Sequence, residues 1–108
     1  MKFGRMREVI EVQRKVVTAG ELGEQKTTWA TKARVFAEVT HDMGNEARRR
    51  QTEGEFEAPA IFVIRYRDDV SSADRVVYRS KTYSIEGLRP LSVTRNIDAL
   101  EIRGVARG

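Results

Sequence analysis

The chain has 108 residues, which is enough for one hydrophobic core and too few for two, so we expect a single domain over residues 1–108. Hydrophobic residues make up 40% and charged residues 33%, values typical of a folded soluble protein rather than a disordered one. The absence of cysteine excludes disulfide scaffolds, thiolate catalysis and cysteine-ligated metal sites. The net charge of +4 is compatible with a polyanionic neighbour but equally with an ordinary soluble domain.

The sequence gives no indication of a secretion signal at its start or of a membrane span. Residues 1–8 contain no apolar stretch of the kind found in signal peptides. The longest apolar run, Ala58 to Ile64, includes Pro59 and is far shorter than a membrane span. We therefore expect no membrane partner.

The first strand is predicted over Val9 to Val17. Ile10, Val12 and Val16 fall on one face of it, at the spacing of a half-buried strand. The segment from Ala19 to Gln25 then contains two glycines and is typical of an open hairpin loop.

Extended structure resumes at Thr27, and an alternating pattern follows as a second long strand or two short ones. Its apolar positions are Ala33, Val35, Ala37 and Val39. Trp29 lacks a second aromatic residue at strand spacing, so a base-stacking platform is disfavoured and a core position is predicted.

The strongest strand signal is Ala60 to Arg67, which we expect to be the central strand. At period two, Phe62, Ile64 and Tyr66 share a buried face, while Val63, Arg65 and Arg67 share a face that becomes basic. This pattern is typical of an antiparallel sheet with one wet side. Arg65 and Arg67 are therefore predicted to form a basic outer strand face.

The strand pattern stops between Asp42 and Glu57. Asn45 is a candidate cap for a helix of one or two turns, with Glu46 and Arg50 paired four residues apart. Arg48, Arg49 and Arg50 share this segment with five carboxylates. Both a solvated, salt-bridged loop and a phosphate-contacting loop are consistent with that charge pattern.

The remaining segments predict a hairpin and a last strand. Val76 and Tyr78 precede a corner at Arg79 to Thr82, and Tyr83 and Ile85 follow it. If the turn has two residues, Ser80 must adopt a positive φ. The other expected features are a bend at Gly87 and Pro90 and a last strand from Ser92 to Val105.

Taken together, these elements predict a mainly β protein. The expected fold is a small antiparallel β-barrel of five or six strands with one long loop carrying a short helix.

Candidate residues for catalysis or metal binding are few. His41 is the only histidine, and the sequence contains no cysteine that it could activate as a nucleophile. Asp68, Asp69 and Asp74 lack the glycine turn and the bidentate glutamate of a calcium loop. No glycine-rich phosphate loop is present. We therefore expect no catalytic site, cofactor or metal.

The order of signals along the chain resembles the phage head-tail joining family, also called head-closure, stopper or head-tail adaptor proteins. The resemblance covers about residues 5 to 103. Its features are Arg14, a loop containing Gly23, Thr28-Trp29, Val35 to Val39, Gly44-Asn45-Glu46, Phe62 to Arg67, Arg75 to Tyr78, Tyr83 to Gly87 and Arg95. Relatives often have a glycine where this chain has Ser80.

The resemblance implies a structural role in a tailed phage or prophage. Family members are small β-barrels that assemble into rings, typically dodecameric, beneath the portal and its adaptor. The ring lines the DNA exit channel and presents a surface to the tail. By this resemblance the segment from Asp42 to Glu57 faces the channel, with Arg48, Arg49 and Arg50 near the DNA. The protein is then made in the host cytoplasm and resides at the head-tail interface of the virion.

A second class of function stays open. A free-standing small-barrel nucleic-acid binder would use the basic face of Arg65 and Arg67 as its footprint. The lack of paired surface aromatics in the sequence counts against it.

Overall fold

The computed structural model describes residues 5–41, 59–92 and 97–107. These residues form six antiparallel strands and no α-helix, so no described helix has the length and apolarity needed to cross a membrane. The strands are β1 (Glu8–Ala19), β2 (Gln25–His41), β3 (Ala60–Arg65), β4 (Arg75–Tyr78), β5 (Lys81–Ser92) and β6 (Ile97–Arg107). They form one sheet that closes on itself in the order β1-β2-β3-β6-β5-β4. The predicted mainly β, antiparallel and closed arrangement is confirmed.

The sheet closes where β1 meets β4. Only three residue pairs make this closure contact, from Glu11 opposite Val77 to Gln13 opposite Arg75. A register shift opposite Val12 and Gln13, where Lys32 is an extra residue of β2, lies at the same place and bends the β1–β2 pair. Closure leaves a covered interior on one side of the sheet and places the alternate side chains outside.

The interior is filled by alternating residues from all six strands. The buried members are Ile10, Val12, Ala37, Ala60, Phe62, Ile64, Val76, Tyr83, Ile85, Leu100 and Ile102. Phe62 is fully buried and makes edge-to-face contacts with the rings of Tyr78 and Tyr83. Gly104 makes room for these rings, because a Cβ there would lie 3.0 Å from the Tyr83 Cβ and 3.1 Å from the Phe62 ring. The predicted buried positions of Phe62 and Ile64 are therefore confirmed, and Val35 packs against this core half-buried.

The outer face of β3 is only partly exposed to solvent, although strict alternation of its residues predicts an exposed face. Val63 is buried in a second small cluster with Met6 and Ala99, because the segment before β1 covers this face. The predicted burial of Tyr66 is wrong: its side chain is exposed. β2 pairs with β3 only up to Ile64, and β6 pairs with β3 only up to Arg65. Tyr66 therefore lies beyond the paired part of the sheet.

The outer halves of β1 and β2 form a two-stranded ribbon, here called the hairpin arm and comprising residues 14–30. In the described chain, β4 pairs with β1 only as far as Gln13 and β3 pairs with β2 only from Ala37 onward. The arm strands therefore pair only with each other, and none of the arm residues is buried.

Two predicted core positions fall in the hairpin arm. The predicted core position of Trp29 is wrong: its ring is half-buried at the base of the arm, where the guanidinium of Arg75 lies 4.3 Å from the ring centroid. Val16 is also outside the core, because the arm diverges from the closed sheet after the register shift.

The predicted corner between β4 and β5 is a two-residue turn. Tyr78 pairs with Lys81, and both turn residues have positive φ, 49° at Arg79 and 66° at Ser80. This geometry follows the right-handed twist of the two strands but crowds the Cβ of an L-residue. The positive φ predicted for Ser80 is confirmed.

The strand is not interrupted at Gly87 and Pro90, where the sequence predicts a bend. β5 continues to Ser92, and Glu86 is accommodated as a register shift between Ile85 and Gly87. Pro90 is tolerated because β4 pairs with β5 only up to Ser84, so the missing N–H of Pro90 lies on an edge. The last strand begins at Ile97, whereas its predicted start, Ser92, belongs to β5. The segment from Asp42 to Glu57, with its predicted helix and Arg48, Arg49 and Arg50, lies outside the described residues.

We predict that Phe62→Ala destabilises the isolated protein by about 3 to 5 kcal/mol, because it removes the ring at the centre of the interior. Phe36→Ala is the matched control: its ring is 63% exposed, so the loss should stay below about 0.5 kcal/mol. Chemical denaturation of both variants measures the difference. Equal losses would show that Phe62 does not organise the core.

Ser80→Gly should stabilise the protein by about 0.5 to 1 kcal/mol, since glycine adopts positive φ without a Cβ penalty. The control is Ser72→Gly, at an exposed position without positive φ, which should give no gain. Thermal melting compares the two. A lower melting temperature for Ser80→Gly would mean that the serine side chain supports the turn.

Candidate protein-interaction surface

Large apolar side chains are exposed at two places on the outside of the sheet. Val9 and Phe36 are direct partners in the β1–β2 register, and they are 53% and 63% exposed. Phe36 points outward because its neighbours Val35 and Ala37 point toward the core. The second place is the hairpin arm, where Val17 is 51% exposed and Leu22, in the loop, is 95% exposed.

A groove runs beside Phe36, between β2 and the end of β3. Its volume is about 480 Å³, and we call it the aromatic–arginine groove. Its lining residues are Met6, Arg34, Val35, Phe36, Arg65, Tyr66 and Arg67. Four of the lining residues are apolar or aromatic and three are arginines, and no carboxylate is among the described residues that line the groove.

The strand register brings these residues together. Arg34 and Phe36 are two apart on β2 and therefore share its outward face. Ala37 pairs with Ile64. One position further along the two antiparallel strands, Phe36 of β2 lies beside Arg65 at the end of β3. Tyr66 donates its backbone N–H to the carbonyl of Asp98 at 3.1 Å, which holds the chain beside the groove after β3 has ended.

Two arginines of the groove are engaged by carboxylates outside its lining. Arg67 makes a bidentate contact with Asp69, with Nε donating to Oδ1 at 2.9 Å and Nη2 to Oδ2 at 2.8 Å. This contact lowers the pKa of the Asp69 carboxyl and raises the pKa of Arg67. Arg34 donates to Glu11 at 3.1 Å, and Glu11 has a lowered pKa because it accepts hydrogen bonds first from Gln13 and then from Arg34. The Arg67–Asp69 pair is exposed, and Arg34 is the exposed partner of a more covered Glu11 that Gln13 also holds, so each arginine can change partner at small cost.

The predicted basic face is thus a mixed surface. Arg65 and Arg67 do lie in one groove, but Arg65 is the last residue of β3 and Arg67 lies beyond it. Sequence reasoning missed Arg34 and Phe36 as members of this surface. The sequence did contain a signal for this surface, because Phe36 is an aromatic residue at an outward position of β2, between Arg34 and Glu38.

A second hollow, of about 510 Å³, lies at the base of the hairpin arm and includes Trp29, Arg75 and Asp74. Its polar groups connect β4 and the segment before it to the residues next to the arm. The buried Asp74 carboxylate binds Lys32 at 2.7 Å and accepts the backbone N–H of Ser71 at 3.0 Å. Arg75 donates from Nε to the side chain of Gln13 at 2.7 Å.

The other residues considered for chemistry do not form a site. Asp69 and Asp74 are engaged in separate ion pairs with Arg67 and Lys32, and His41 is exposed at the end of β2. Over residues 5–41, 59–92 and 97–107, no group of three metal-ligating side chains occurs.

The chain is similar in sequence to a family of phage proteins and in fold to solved structures. A family model described as phage head completion protein matches residues 1–105. The chain is similar to the solution structure of protein SF1141 from Shigella flexneri 2a, with 25% sequence identity, a TM-score of 0.69 and coverage of 98% of this chain and 96% of that one. It also shares its fold with a chain in the virion of a native gene transfer agent particle, at 17% identity and a TM-score of 0.57, over 91% of each chain.

The comparison with curated proteins gives no match. The family model covers nearly the whole length and agrees with the resemblance inferred from the order of sequence signals. The chain belongs to the phage head completion protein family.

Proposed function

We propose that the protein is a head-tail connector subunit, of the head-closure or stopper kind, in the virion of a tailed phage or prophage. In this role it forms a ring of small-barrel subunits under the portal or adaptor, lines the DNA channel and docks the tail. The observation that carries the proposal is the match of the phage head completion family over residues 1–105. The role is structural rather than enzymatic.

The surface supports an assembling role. A groove with two exposed aromatic residues and an adjoining exposed valine is a feature that a permanently monomeric protein would tend to avoid. Aromatic residues and arginine are the side chains most enriched at protein interfaces. We assign the aromatic–arginine groove to contacts with other virion proteins, including further copies of this chain.

The channel-facing element in this proposal is the segment from Asp42 to Glu57. Arg48, Arg49 and Arg50 lie near the DNA in the assembled ring, and ring symmetry repeats their charge around the channel. The five carboxylates of the same segment keep contact with DNA weak. Weak contact suits a channel through which DNA must pass.

The alternative of a free-standing nucleic-acid binder is not favoured by the groove. Asp69 beside Arg67 and Glu11 beside Arg34 lower the net positive charge of this surface and therefore its attraction for phosphates. The proposed location is therefore the head-tail interface of the virion, after synthesis of this single-domain chain, residues 1–108, in the host cytoplasm.

Replacing Arg48, Arg49 and Arg50 together by Glu should separate assembly from DNA retention. The added carboxylates repel phosphate in the channel, whereas exposed charges contribute little to folding, so heads should join tails but lose DNA. The measurement is complementation of a phage that lacks this protein, with filled heads and tailed particles counted by electron microscopy.

The matched control replaces the same three residues by Lys, which keeps the charge and should retain DNA. Normal retention with the Glu variant would remove these residues from the channel. Failure of the Glu variant to join heads to tails would place them at a protein interface instead.

A further inference from the structure

The hairpin arm extends beyond the strand pairs that close the sheet. The closure contact ends at Gln13, so residues 14–30 add two strand halves that cover no core. Such a two-stranded ribbon has little stability of its own in water. Its outer part leaves Val17 half-exposed and Leu22 almost completely exposed. These features point to an element that is covered by another molecule.

The tip of the arm, residues 20–24, has a defined shape that displays Leu22. Gly20 donates its N–H to the Glu24 carbonyl at 2.6 Å, and Gly23 donates to the Gly20 carbonyl at 3.1 Å. The Glu24 carboxylate accepts the backbone N–H of Leu22 at 3.1 Å. Gly23 has a φ of +84°, which a residue with a Cβ rarely adopts. The result is a compact turn with an apolar side chain flanked by Glu21 and Glu24.

The aromatic–arginine groove is complementary to this tip in polarity and charge. Met6, Val35, Phe36 and Tyr66 give its lining apolar surface, and Arg34, Arg65 and Arg67 give it positive charge. The Arg34 side chain is 73% exposed, and its partner Glu11 also accepts a hydrogen bond from Gln13, so Arg34 can turn toward Glu21 at small cost. Opposite charges would set the orientation of the tip in the groove.

A chain cannot place its tip in its own groove. Gln25 and Val35 lie on the same continuous strand, ten residues apart, which corresponds to about 33 Å at 3.3 Å per residue. The base of the arm is also fixed, through Lys32 to Asp74 and Arg75 to Gln13. The tip must therefore reach a groove on another molecule.

We propose that the tip of one copy inserts Leu22 into the aromatic–arginine groove of a second copy. The two patches are different, so the contact is head-to-tail, and repetition gives a closed ring when the rotation between copies is right. The inference deepens the proposed ring-forming function and rests on it. It assigns the hairpin arm and the groove as the two halves of one subunit interface.

Cysteine crosslinking tests the contact, because the natural chain contains no cysteine. Leu22→Cys is made in a full-length chain with a mass tag and Tyr66→Cys in an untagged chain. The two proteins are mixed at assembly concentration and oxidised, and the products are read on a non-reducing gel. We expect the tagged–untagged dimer to form at least about tenfold faster in the mixture than dimers form in either variant alone.

The matched control mixes Leu22→Cys with Ser72→Cys, which places an exposed thiol in the β3–β4 connection, and it should give only the slow rate. Equal rates in the two mixtures would overturn the proposal. So would dominant pairing of Leu22→Cys with itself, which would indicate a symmetric tip-to-tip contact.

A chain carrying both Leu22→Cys and Tyr66→Cys separates this inference from the proposed function. Incorporated into particles by complementation, it should give a covalent ladder that ends at one closed ring. Rings that assemble without crosslinks would refute the tip-in-groove contact and leave the ring intact. Crosslinked open chains without a closed ring would support the contact and refute the ring.

Discussion

The short contact that closes the sheet determines the rest of the structure. β4 has only four residues, so it can pair with β1 over only three positions, Glu11 to Gln13. Inside this limit, closure encloses an interior organised by Phe62. Outside it, the longer β1 and β2 continue with no other strand to pair with among the described residues, and they become the hairpin arm. The enclosed core and the exposed arm are thus two consequences of one length mismatch.

Strand periodicity predicted the parts of the fold that alternation alone controls. The interior positions of β3 and the positive-φ turn at Ser80 follow directly from residue spacing. Trp29 was misplaced because a lone aromatic residue in a strand favours a core position, and only the pairing of neighbouring strands reveals where coverage ends. Tyr66 was misplaced for the same reason at the end of β3. The sequence predicts a bend at Pro90 because it does not show that this part of β5 is an edge, where a strand tolerates proline.

The candidate interface was only half visible in the sequence. Arg65 and Arg67 stood out as a basic strand end, but their neighbours Arg34 and Phe36 come from β2 and join them through register. The acidic partners were also hidden, although Asp69 lies only two residues from Arg67 and its carboxylate reaches that guanidinium. The family was reached from the order of many weak signals, and the match over residues 1–105 supports the same assignment.

In the proposed assembly, the hairpin arm is exposed to solvent in the single chain and covered by a neighbouring copy in the ring. Hydrogen–deuterium exchange of the isolated protein and of assembled particles measures this directly. Amides of residues 14–30 should exchange rapidly in the isolated chain and slow by at least about tenfold on assembly, while β3 and β6 stay protected in both. Arm amides that exchange at the same rate in both states would contradict the account.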